Sequence, residues 1–249
     1  MTLLTKYLKP DAAIADFVES FWLLYNQSEQ EKEVVIVPDG RIDLFLSKSA
    51  TEPFHITLLG LETEPTQATI APESLTFAIS FRPLATEYVL NRTIADLLDN
   101  TLSLPTDFWD FNEDDLADFE HFCQKATYRI QAHLKEKIDE RKRKLFRLIY
   151  ESNGAMSVKE LSANVYWTSR QINRYFTQQY GLSLKAYCNI LRFRASFKQI
   201  KEGKLFPEQN FADQSHFIRE IKKLSGVAPK EFLRNKNDRF IQLSTLPES

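Results

Sequence analysis

The sequence predicts an α+β protein with a small amino-terminal β-barrel or sandwich, a helical connector and an all-α carboxyl-terminal domain. Three observations lead to this prediction. Short runs of β-branched and aromatic residues, separated by turns, dominate residues 1–112. From residue 113 onward, apolar residues recur at spacings of three and four. The charge also changes sign along the chain: residues 1–138 carry a net charge of −12, and residues 139–249 a net charge of +10.

Length and composition limit the classes of protein to which this chain can belong. With 249 residues and 43% hydrophobic content, it can form one large or two ordinary domains, each with a real core. No apolar run reaches the roughly 18 residues that a membrane span needs, and the amino terminus lacks the apolar stretch of a secretory signal. Because Cys123 and Cys188 are too few for a disulfide framework, we expect a reduced, cytoplasmic protein.

The β-rich region contains one clear hairpin pattern. Residues 34–37 and 42–46 are apolar runs, and the Pro38-Asp39-Gly40 turn between them favours a tight reversal. This pattern predicts two antiparallel strands joined by a turn. The other candidate elements are strands at 56–60, at 75–81 and in the second half of 16–25, and a short helix at 92–99.

Four charged residues of this region are candidates for binding a small-molecule ligand. They are Asp39, Arg41, Asp43 and Arg82. An aspartate that stabilises a turn, together with an internal ion pair, explains the same residues at least as well. Both interpretations stay open at this point.

Residues 113–138 predict an amphipathic helix that connects the two domains. Its acidic start suits the positive end of a helix dipole. The helix either covers the core of its own domain or pairs with a second copy to form a homodimer, and the first arrangement is the commoner. The apolar stripe consists of Leu116, Phe119, Phe122, Cys123, Ala126, Ile130, Leu134 and Ile138.

A second amphipathic helix is predicted over residues 168–181. Thr168 can cap its start, and Gly181 suits a left-handed stop. Its polar face carries Arg170, Asn173 and Arg174, and the helix contains no acidic residue. Arginine and amide side chains hydrogen-bond guanine and adenine edges in the major groove of DNA. Taken alone, the pattern is equally typical of a DNA-reading helix and of a solvated surface helix.

The residues on either side favour the first interpretation. A basic helix over residues 139–152 begins with the run 141–144, and a second helix over 158–164 is capped by Ser157. A brief turn at Tyr166-Trp167 then leads into residue 168, which makes a helix-turn-helix pattern. The basic run is either solvated or in contact with phosphate, and its position ahead of the motif favours phosphate.

The downstream sequence repeats this pattern incompletely. A long helix capped by Ser183 is predicted to end near Gly203, and residues 204–210 are irregular. A second polar-faced helix covers 213–224. A short helix from Pro229 follows, and the polar tail, residues 236–249, is predicted to be loosely held.

These residues resemble the AraC/XylS-type bacterial transcription regulators, whose DNA-binding domain contains two helix-turn-helix units. The resemblance covers about residues 139–235. The first unit is matched by Leu161-Ser162, Thr168, Arg170, Ile172, Arg174, Phe176, Gly181, Tyr187 and Arg192. The second is matched by Asn210-Phe211-Ala212-Asp213-Gln214-Ser215-His216-Phe217, Arg219, Lys222, Gly226, Pro229 and Phe232. A weaker resemblance to the cupin-like sensor domain of such regulators rests on Phe21-Trp22, Pro38-Asp39-Gly40, Asp43-Leu44 and Phe81-Arg82-Pro83.

The resemblance implies a regulator that binds double-stranded DNA and responds to a small-molecule effector, without metal or other cofactor. Together with the strand, helix and charge patterns, it gives a sensor domain at 1–112, a helical connector at 113–138, a DNA-binding domain at 139–235 and a tail at 236–249. The family normally has a short helix, the scaffold helix, before the second recognition helix. This chain has only ten residues between Ile200 and Phe211, including Gly203 and Pro207. The scaffold helix is therefore missing or very short, and the second helix-turn-helix unit is truncated. The implied base-contacting residues are Arg170, Asn173, Arg174, Gln214, Ser215, His216 and Arg219. The implied phosphate-contacting residues are Arg141, Lys142, Lys185, Arg192, Lys222 and Lys223.

Two other functions compete with this one. The chain is alternatively a small-molecule-binding protein whose helical half docks a protein partner. A cupin-type enzyme would need a histidine-rich metal site, and His55, His121 and His133 lack the spacing for one. His216 lacks a second ligand near it. Because no catalytic triad, paired carboxylates or glycine-rich phosphate loop is present, we expect a protein that is not an enzyme.

Overall fold

The computed structural model describes residues 3–207, 211 and 213–245. The chain forms two compact units. The β unit contains the residues up to 32, residues 41–60 and residues 69–138. The helical unit contains residues 33–40, residues 61–68 and the chain from 139 onward. The α+β class is confirmed, and two segments of the amino-terminal half belong to the helical unit.

The β unit is built on an antiparallel sheet of six strands in the order β1-β2-β7-β4-β5-β8, and β3 and β6 form a separate two-stranded sheet. The predicted strands are confirmed, whereas β1, β6 and β8 were not predicted, because their side chains are mostly exposed and give only a weak apolar pattern. The bounds are β1 Leu3–Leu8, β2 Val18–Asn26, β3 Lys32–Ile36, β4 Ile42–Lys48, β5 His55–Leu59, β6 Thr66–Ile70, β7 Leu75–Phe81 and β8 Thr101–Leu104.

The hairpin predicted around Pro38-Asp39-Gly40 is wrong. Strand β3 pairs with β6, while β4 pairs with β5 and β7. Gly40 does have a positive φ of 79°, so the sequence correctly marks a turn. The turn leads the chain from one sheet to another, because β5 and β7, rather than β3, provide the neighbours of β4.

Two helices complete the β unit, α1 Leu84–Tyr88 and α2 Phe119–His133. The helix expected at 92–99 is only a short 3-10 turn, Ala95–Leu97. Helix α2 lies on the buried face of the sheet, where the ring of Phe122 is 5.5 Å from Phe77 and 6.4 Å from Phe21.

The apolar stripe of the connector is therefore used inside its own unit. Its members from Leu116 to Ile130 are buried. The six buried residues are not available to pair with a second copy, whereas Leu134 and Ile138 are half-buried. A homodimer that uses another surface stays a prediction.

The helical unit contains the carboxyl-terminal helices and two clusters of aromatic rings. One cluster joins Phe146, Phe176 and Tyr180, and the other joins Phe193, Phe197 and Phe232. The helices are α3 Glu140–Glu151, α4 Val158–Val165, α5 Ser169–Tyr180, α6 Leu184–Ala195, α7 Phe197–Lys201, α8 Gln214–Ser225, α9 Pro229–Arg234 and α10 Ile241–Ser244.

The long helix expected to reach Gly203 is interrupted at Ser196. The buried Ser196 hydroxyl donates a hydrogen bond of 2.6 Å to the Phe193 carbonyl, an interaction that competes with helical hydrogen bonding. After α7 the described residues before α8 form no helix, which agrees with the expected loss of the scaffold helix. Asn210 and Ala212, two residues of the second pattern, lie outside the described residues.

The prediction of a loosely held tail is wrong for the described residues 236–245. Phe240 and Leu243 are buried, and the Phe240 ring lies 4.7 Å from the Phe232 ring. The tail therefore contributes to the core of the helical unit. The prediction failed because the tail is mostly polar and only these two apolar residues pack into the core. Residues 246–249 lie outside the described part.

No helix within the described ranges is both long and apolar enough to cross a membrane.

Candidate nucleic-acid interface

Helix α5 is fixed at both ends by interactions that the sequence predicts. The Thr168 hydroxyl accepts a hydrogen bond of 3.2 Å from the Gln171 amide, and the Gln171 side chain accepts one of 2.8 Å from the Thr168 amide. This reciprocal pair is a capping box. At the other end, Gly181 has a φ of 80°. The helix therefore begins and ends at defined residues, which sets the rotation of its polar face.

The buried face of α5 holds the helix against the rest of its unit. Ile172, Phe176 and Tyr180 are fully buried. The Phe176 ring lies 5.6 Å from Phe146 on α3 and 5.7 Å from Tyr187 on α6. Helices α3 and α6 thus position α5 through one aromatic cluster.

The opposite face of α5 lines an open depression of about 620 Å³. Arg170 and Arg174 are exposed there, while Asn173 is half-buried and donates a hydrogen bond of 3.0 Å to the Ser169 carbonyl. Thr177 and Gln178, which were not predicted as site residues, complete the lining. The lining consists of cationic and neutral polar side chains without any carboxylate, so its surface suits an anionic partner with hydrogen-bonding edges.

A row of cations stacked on aromatic rings lies beside α5. We call it the basic–aromatic edge. It pairs Arg141 with Trp167, Lys142 with Tyr175 and Lys144 with Tyr166, at cation-to-centroid distances of 5.1, 4.7 and 6.0 Å. Tyr166 is 88% exposed in the turn between α4 and α5 and has a φ of 55°.

Sequence reasoning missed Lys144 and Tyr166 as members of one surface because they are far apart in the chain. Their contact depends on the packing of α3 beside the turn. Lys144 also donates a hydrogen bond of 2.7 Å to the Asn164 carbonyl. Two features could have identified the pair: the basic run at 141–144 and a large aromatic residue in a turn.

Arg141 is partly engaged within the protein. Its guanidinium donates hydrogen bonds of 3.1 and 2.7 Å to the two carboxylate oxygens of Asp139. These bonds hold the pKa of the Asp139 carboxyl below its usual range. Asp139 also caps α3 by accepting from the Arg141 amide. Arg141 therefore stabilises the start of α3 and presents only part of its charge to a partner.

Helix α8 is the predicted recognition helix of the second helix-turn-helix unit. Asp213 caps its start by accepting a hydrogen bond of 2.7 Å from the His216 amide. Its exposed stripe consists of Ser215, Ile218, Arg219 and Lys222. Ser215 and Arg219 are thus placed on the exposed face, as expected, and Ile218 is an unpredicted apolar member.

Two predicted base-contacting residues of α8, Gln214 and His216, contact other residues of the helical unit. The Gln214 amide donates a hydrogen bond of 2.8 Å to the Leu205 carbonyl. His216 Nε2 lies 4.0 Å from the Glu220 carboxylate, and its ring lies 5.7 Å from the Phe211 ring. This geometry favours a structural role for Gln214 and His216.

Gln214 acts together with a second glutamine. Gln199 donates a hydrogen bond of 3.0 Å to the Phe206 carbonyl, next to the carbonyl that Gln214 holds. The two amides hold Leu205 and Phe206, in the described part of the segment where the sequence predicts that the scaffold helix is missing or very short. Helix α8 is therefore supported by side-chain hydrogen bonds to a loop and by packing against α6 and α9.

The predicted phosphate-contacting residues fall into two groups. Lys185, Lys222 and Lys223 are exposed, and Lys142 is half-buried on the basic–aromatic edge. Arg192 instead donates hydrogen bonds to the Gly154 carbonyl, at 3.0 Å, and to the Asn189 side chain. Arg192 thus links α6 to the turn after α3, and its geometry favours a structural role.

The four candidate ligand-binding residues are divided between the units. Asp39 belongs to the helical unit, where its carbonyl accepts a hydrogen bond of 3.0 Å from Arg194. Asp43 is buried in the β unit and accepts from the Ser80 hydroxyl, which in turn accepts a hydrogen bond of 2.9 Å from Trp22 Nε1. Neither unit contains the whole set. A ligand site at Asp39, Arg41, Asp43 and Arg82 stays a prediction.

Metal ligation finds no support in the described part of the chain, where no group of three or more His, Cys, Asp or Glu side chains is arranged to hold an ion. His133 stacks on Trp109 at 5.0 Å, and its Nδ1 lies 2.8 Å from the Arg129 carbonyl. His121 is exposed, whereas Cys123 on the same helix is buried. The stacked ring of His133 and the buried thiol of Cys123 favour a structural role for these two residues.

We expect both thiols to be unreactive in the native protein. Burial raises the pKa of Cys123 and of Cys188 from 9.0 to about 12, and the thiolate is the reactive form. Ellman's reagent at pH 8 should label neither thiol before unfolding and both after it. The unfolded chain loses these protons near pH 9 but the folded chain only near 12, so stability should fall across this interval. Rapid labelling of the native protein would contradict this assignment.

The comparison with protein families matches one model. Residues 6–103 match a family described as a domain of unknown function, DUF6597. The match lies in the amino-terminal part of the chain and covers less than half of it. No curated protein matches the sequence.

The comparison with solved structures finds ToxT from Vibrio cholerae. An apo variant of ToxT matches with 12% sequence identity and a TM-score of 0.49, covering 91% of this chain and 98% of that one. Another ToxT structure matches with 14% identity and a TM-score of 0.45, covering 93% and 96%. ToxT bound to an unsaturated fatty acid matches with 13% identity and a TM-score of 0.41, covering 94% of each chain. These TM-scores lie below 0.5, and the sequence identities lie below 25%.

Proposed function

We propose that this chain is a bacterial transcription regulator of the AraC/XylS type that binds double-stranded DNA through its helical unit. The observation that carries this proposal is the exposed face of α5. It presents Arg170, Asn173 and Arg174 from a capped helix, in a depression lined without acidic side chains. A helix of this kind, preceded by a short helix and a tight turn, is the arrangement that places side chains in a major groove.

Helix α5 supplies the principal base contacts in this proposal. Arg170 and Arg174 can each form two hydrogen bonds to O6 and N7 of guanine. Asn173 can pair with adenine once its amide leaves the Ser169 carbonyl. Each well-formed pair contributes about 1–3 kcal/mol of discrimination between bases. Thr177 and Gln178 extend the same face toward the carboxyl-terminal end of the helix.

Helix α8 makes a smaller set of base contacts. Ser215 and Arg219 face outward, and Ile218 offers an apolar contact to a thymine methyl group. Gln214 binds the Leu205 carbonyl, and the His216 ring packs against Phe211. We therefore expect the sequence bound by α8 to be less strictly specified than the sequence bound by α5.

The exposed cations supply affinity without sequence information. We assign phosphate contact to Lys142, Lys185, Lys222 and Lys223, which are exposed or half-buried, and add Lys144 of the basic–aromatic edge. The net charge of +10 over residues 139–249 favours association with DNA, whereas the acidic amino-terminal part disfavours it.

The β unit acts as the sensor in this proposal. A small-molecule effector changes DNA binding only if it binds one conformational state of the protein better than the other. Asp43, Arg41 and Arg82 stay the candidates for its polar contacts within that unit. The regulator acts in the cytoplasm, where the DNA is, and has no enzymatic activity.

Selection of duplexes from a random pool by the full-length protein tests the proposal. We expect enrichment of two short boxes centred about one helical turn apart, roughly 34 Å. The box read by α5 should carry the greater sequence preference. Five phosphate contacts should make log K fall with log salt at a slope of about −4 to −5.

Two results would contradict the proposal. Failure to enrich any sequence would contradict sequence-specific binding. Binding that does not depend on the salt concentration would contradict the proposed phosphate contacts. Capture of a protein by the helical unit, together with failed selection, would favour the protein-docking alternative.

A further inference from the structure

Residues 33–40, which we call the strap, belong to the helical unit although they precede it by a hundred residues. Val34 and Val37 of the strap are buried, with 3% and 0% of their surface exposed. A segment with two buried valines is packed as core. The helical unit therefore includes an extended peptide from the amino-terminal half of the chain.

The first half of the strap is held by the carboxyl-terminal tail. The Val35 amide donates to the Arg239 carbonyl, and Val35 forms a parallel β-bridge with Phe240. The Gln242 side chain forms two hydrogen bonds with Val37, accepting from its amide at 3.1 Å and donating to its carbonyl at 2.9 Å. These contacts satisfy the strap backbone in the way a neighbouring strand would, as in peptide recognition by β-augmentation.

The second half of the strap is held by α6. Arg194 donates a hydrogen bond of 3.0 Å to the Asp39 carbonyl, and the Tyr187 hydroxyl donates one of 3.1 Å to the Gly40 carbonyl. Gly40 has a φ of +79°, and a Cβ there would lie 3.0 Å from Leu191 and 3.2 Å from Tyr187. Glycine is therefore required both by the backbone conformation and by the close approach of α6.

Tyr187 connects the strap to α5. Its hydroxyl contacts Gly40 and lies 2.9 Å from the Tyr150 hydroxyl. Its ring lies 5.7 Å from the Phe176 ring on the buried side of α5. One fully buried side chain thus touches the strap at one end and the helix that carries Arg170 and Arg174 at the other.

We propose that α6 and the tail around α10 form a binding site for an extended peptide, and that the strap is its resident ligand. Seating of the strap positions Tyr187, and Tyr187 positions α5. The strap continues directly into β4, which starts at Ile42, so a change in β4 reaches Tyr187 through two residues. The expected effect on DNA binding rests on the proposed function, whereas the binding of the strap to α6 and the tail does not.

Substitution of Gly40 in the full-length protein tests this inference. Gly40→Val adds a β-branched side chain at a positive φ and against α6. Gly203→Val is the matched control, because Gly203 has a φ of +81° but no atom within 4 Å of an added Cβ. Tyr187→Phe is the milder variant, since it removes the hydroxyl and keeps the ring. The measurements are amide exchange at Val35 and Val37 and the Kd for the selected duplex.

We expect Gly40→Val to accelerate exchange at both amides at least about tenfold, because the added side chain pushes against Leu191 and Tyr187 of α6, which Gly203→Val does not. The Kd for the duplex should rise as the seated fraction falls, and Tyr187→Phe should act in the same direction, by about twofold to tenfold. Gly203→Val should change neither quantity.

If amide exchange at Val35 and Val37 is unchanged in both Gly40→Val and Tyr187→Phe, the proposal that α6 and the tail bind the strap is wrong. Faster exchange with an unchanged Kd would overturn the coupling to α5. If the wild-type protein selects no duplex, the proposed function fails, and the exchange comparison still decides whether the strap is seated as we propose.

Discussion

Replacing Arg170 and Arg174 together by alanine is expected to abolish sequence-selective DNA binding. Both side chains are exposed in the depression lined by α5. Loss of two arginine–base pairs should cost about 2–6 kcal/mol of discrimination, the sum of two contributions of about 1–3 kcal/mol each. The measurement is a competition between the selected duplex and a scrambled one, which reports selectivity separately from affinity.

Two controls separate base recognition from charge. Arg170→Lys/Arg174→Lys keeps the charge but loses the paired donors of guanidinium, so selectivity should fall while binding to scrambled DNA persists. Arg147→Ala/Arg234→Ala removes two arginines outside the depression and should lower affinity without changing selectivity. Equal selectivity in the wild-type protein and in the Arg170→Ala/Arg174→Ala variant would show that α5 does not read bases.

Replacing Phe122 by alanine is expected to produce the largest loss of stability among the single substitutions considered. The ring is fully buried and contacts Phe77, Phe21 and Phe111. Removal of a core phenylalanine costs about 3–5 kcal/mol of the free energy of unfolding, through lost burial and the cavity left behind. Denaturant unfolding, followed by the fluorescence of the β unit, measures this loss.

The same substitution tests whether α2 covers its own unit. Tyr128→Ala is the matched control, because Tyr128 lies on the same helix and is 65% exposed. It should change the free energy of unfolding by less than about 0.5 kcal/mol. If the stripe of α2 were instead a dimer interface, the effect of Phe122→Ala would depend on protein concentration. A stable monomeric Phe122→Ala protein would contradict the packing described above.

The helical elements were largely predictable because their signals are local. A cap such as Thr168, a left-handed stop such as Gly181 and an apolar stripe at spacings of three and four all act within a few residues. The strands whose faces are buried were predictable for the same reason. Strands β1, β6 and β8 were missed since their exposed side chains carry little pattern.

Pairings between distant residues could not be read from the sequence. The turn at Gly40 was recognised, but the partners of β3 and β4 are chosen by apolar runs elsewhere in the chain. Gln214 and His216 match a recognition helix by position, and only the fold shows that Gln214 binds the Leu205 carbonyl and that the His216 ring packs against Phe211. The described residues between α7 and α8 form no helix, and the carbonyls of Leu205 and Phe206 accept hydrogen bonds from Gln214 and Gln199 instead.

The sequence by itself determined the order of a β-rich and a helical part, the charge difference between them, and which face of α5 is polar. These properties follow from composition and from spacings of a few residues. The tertiary structure alone decided that the strap belongs with the helices, that the tail is packed through Phe240, and that Lys144 stacks on Tyr166. These contacts join residues up to two hundred positions apart, and their formation depends on which buried surfaces fit together.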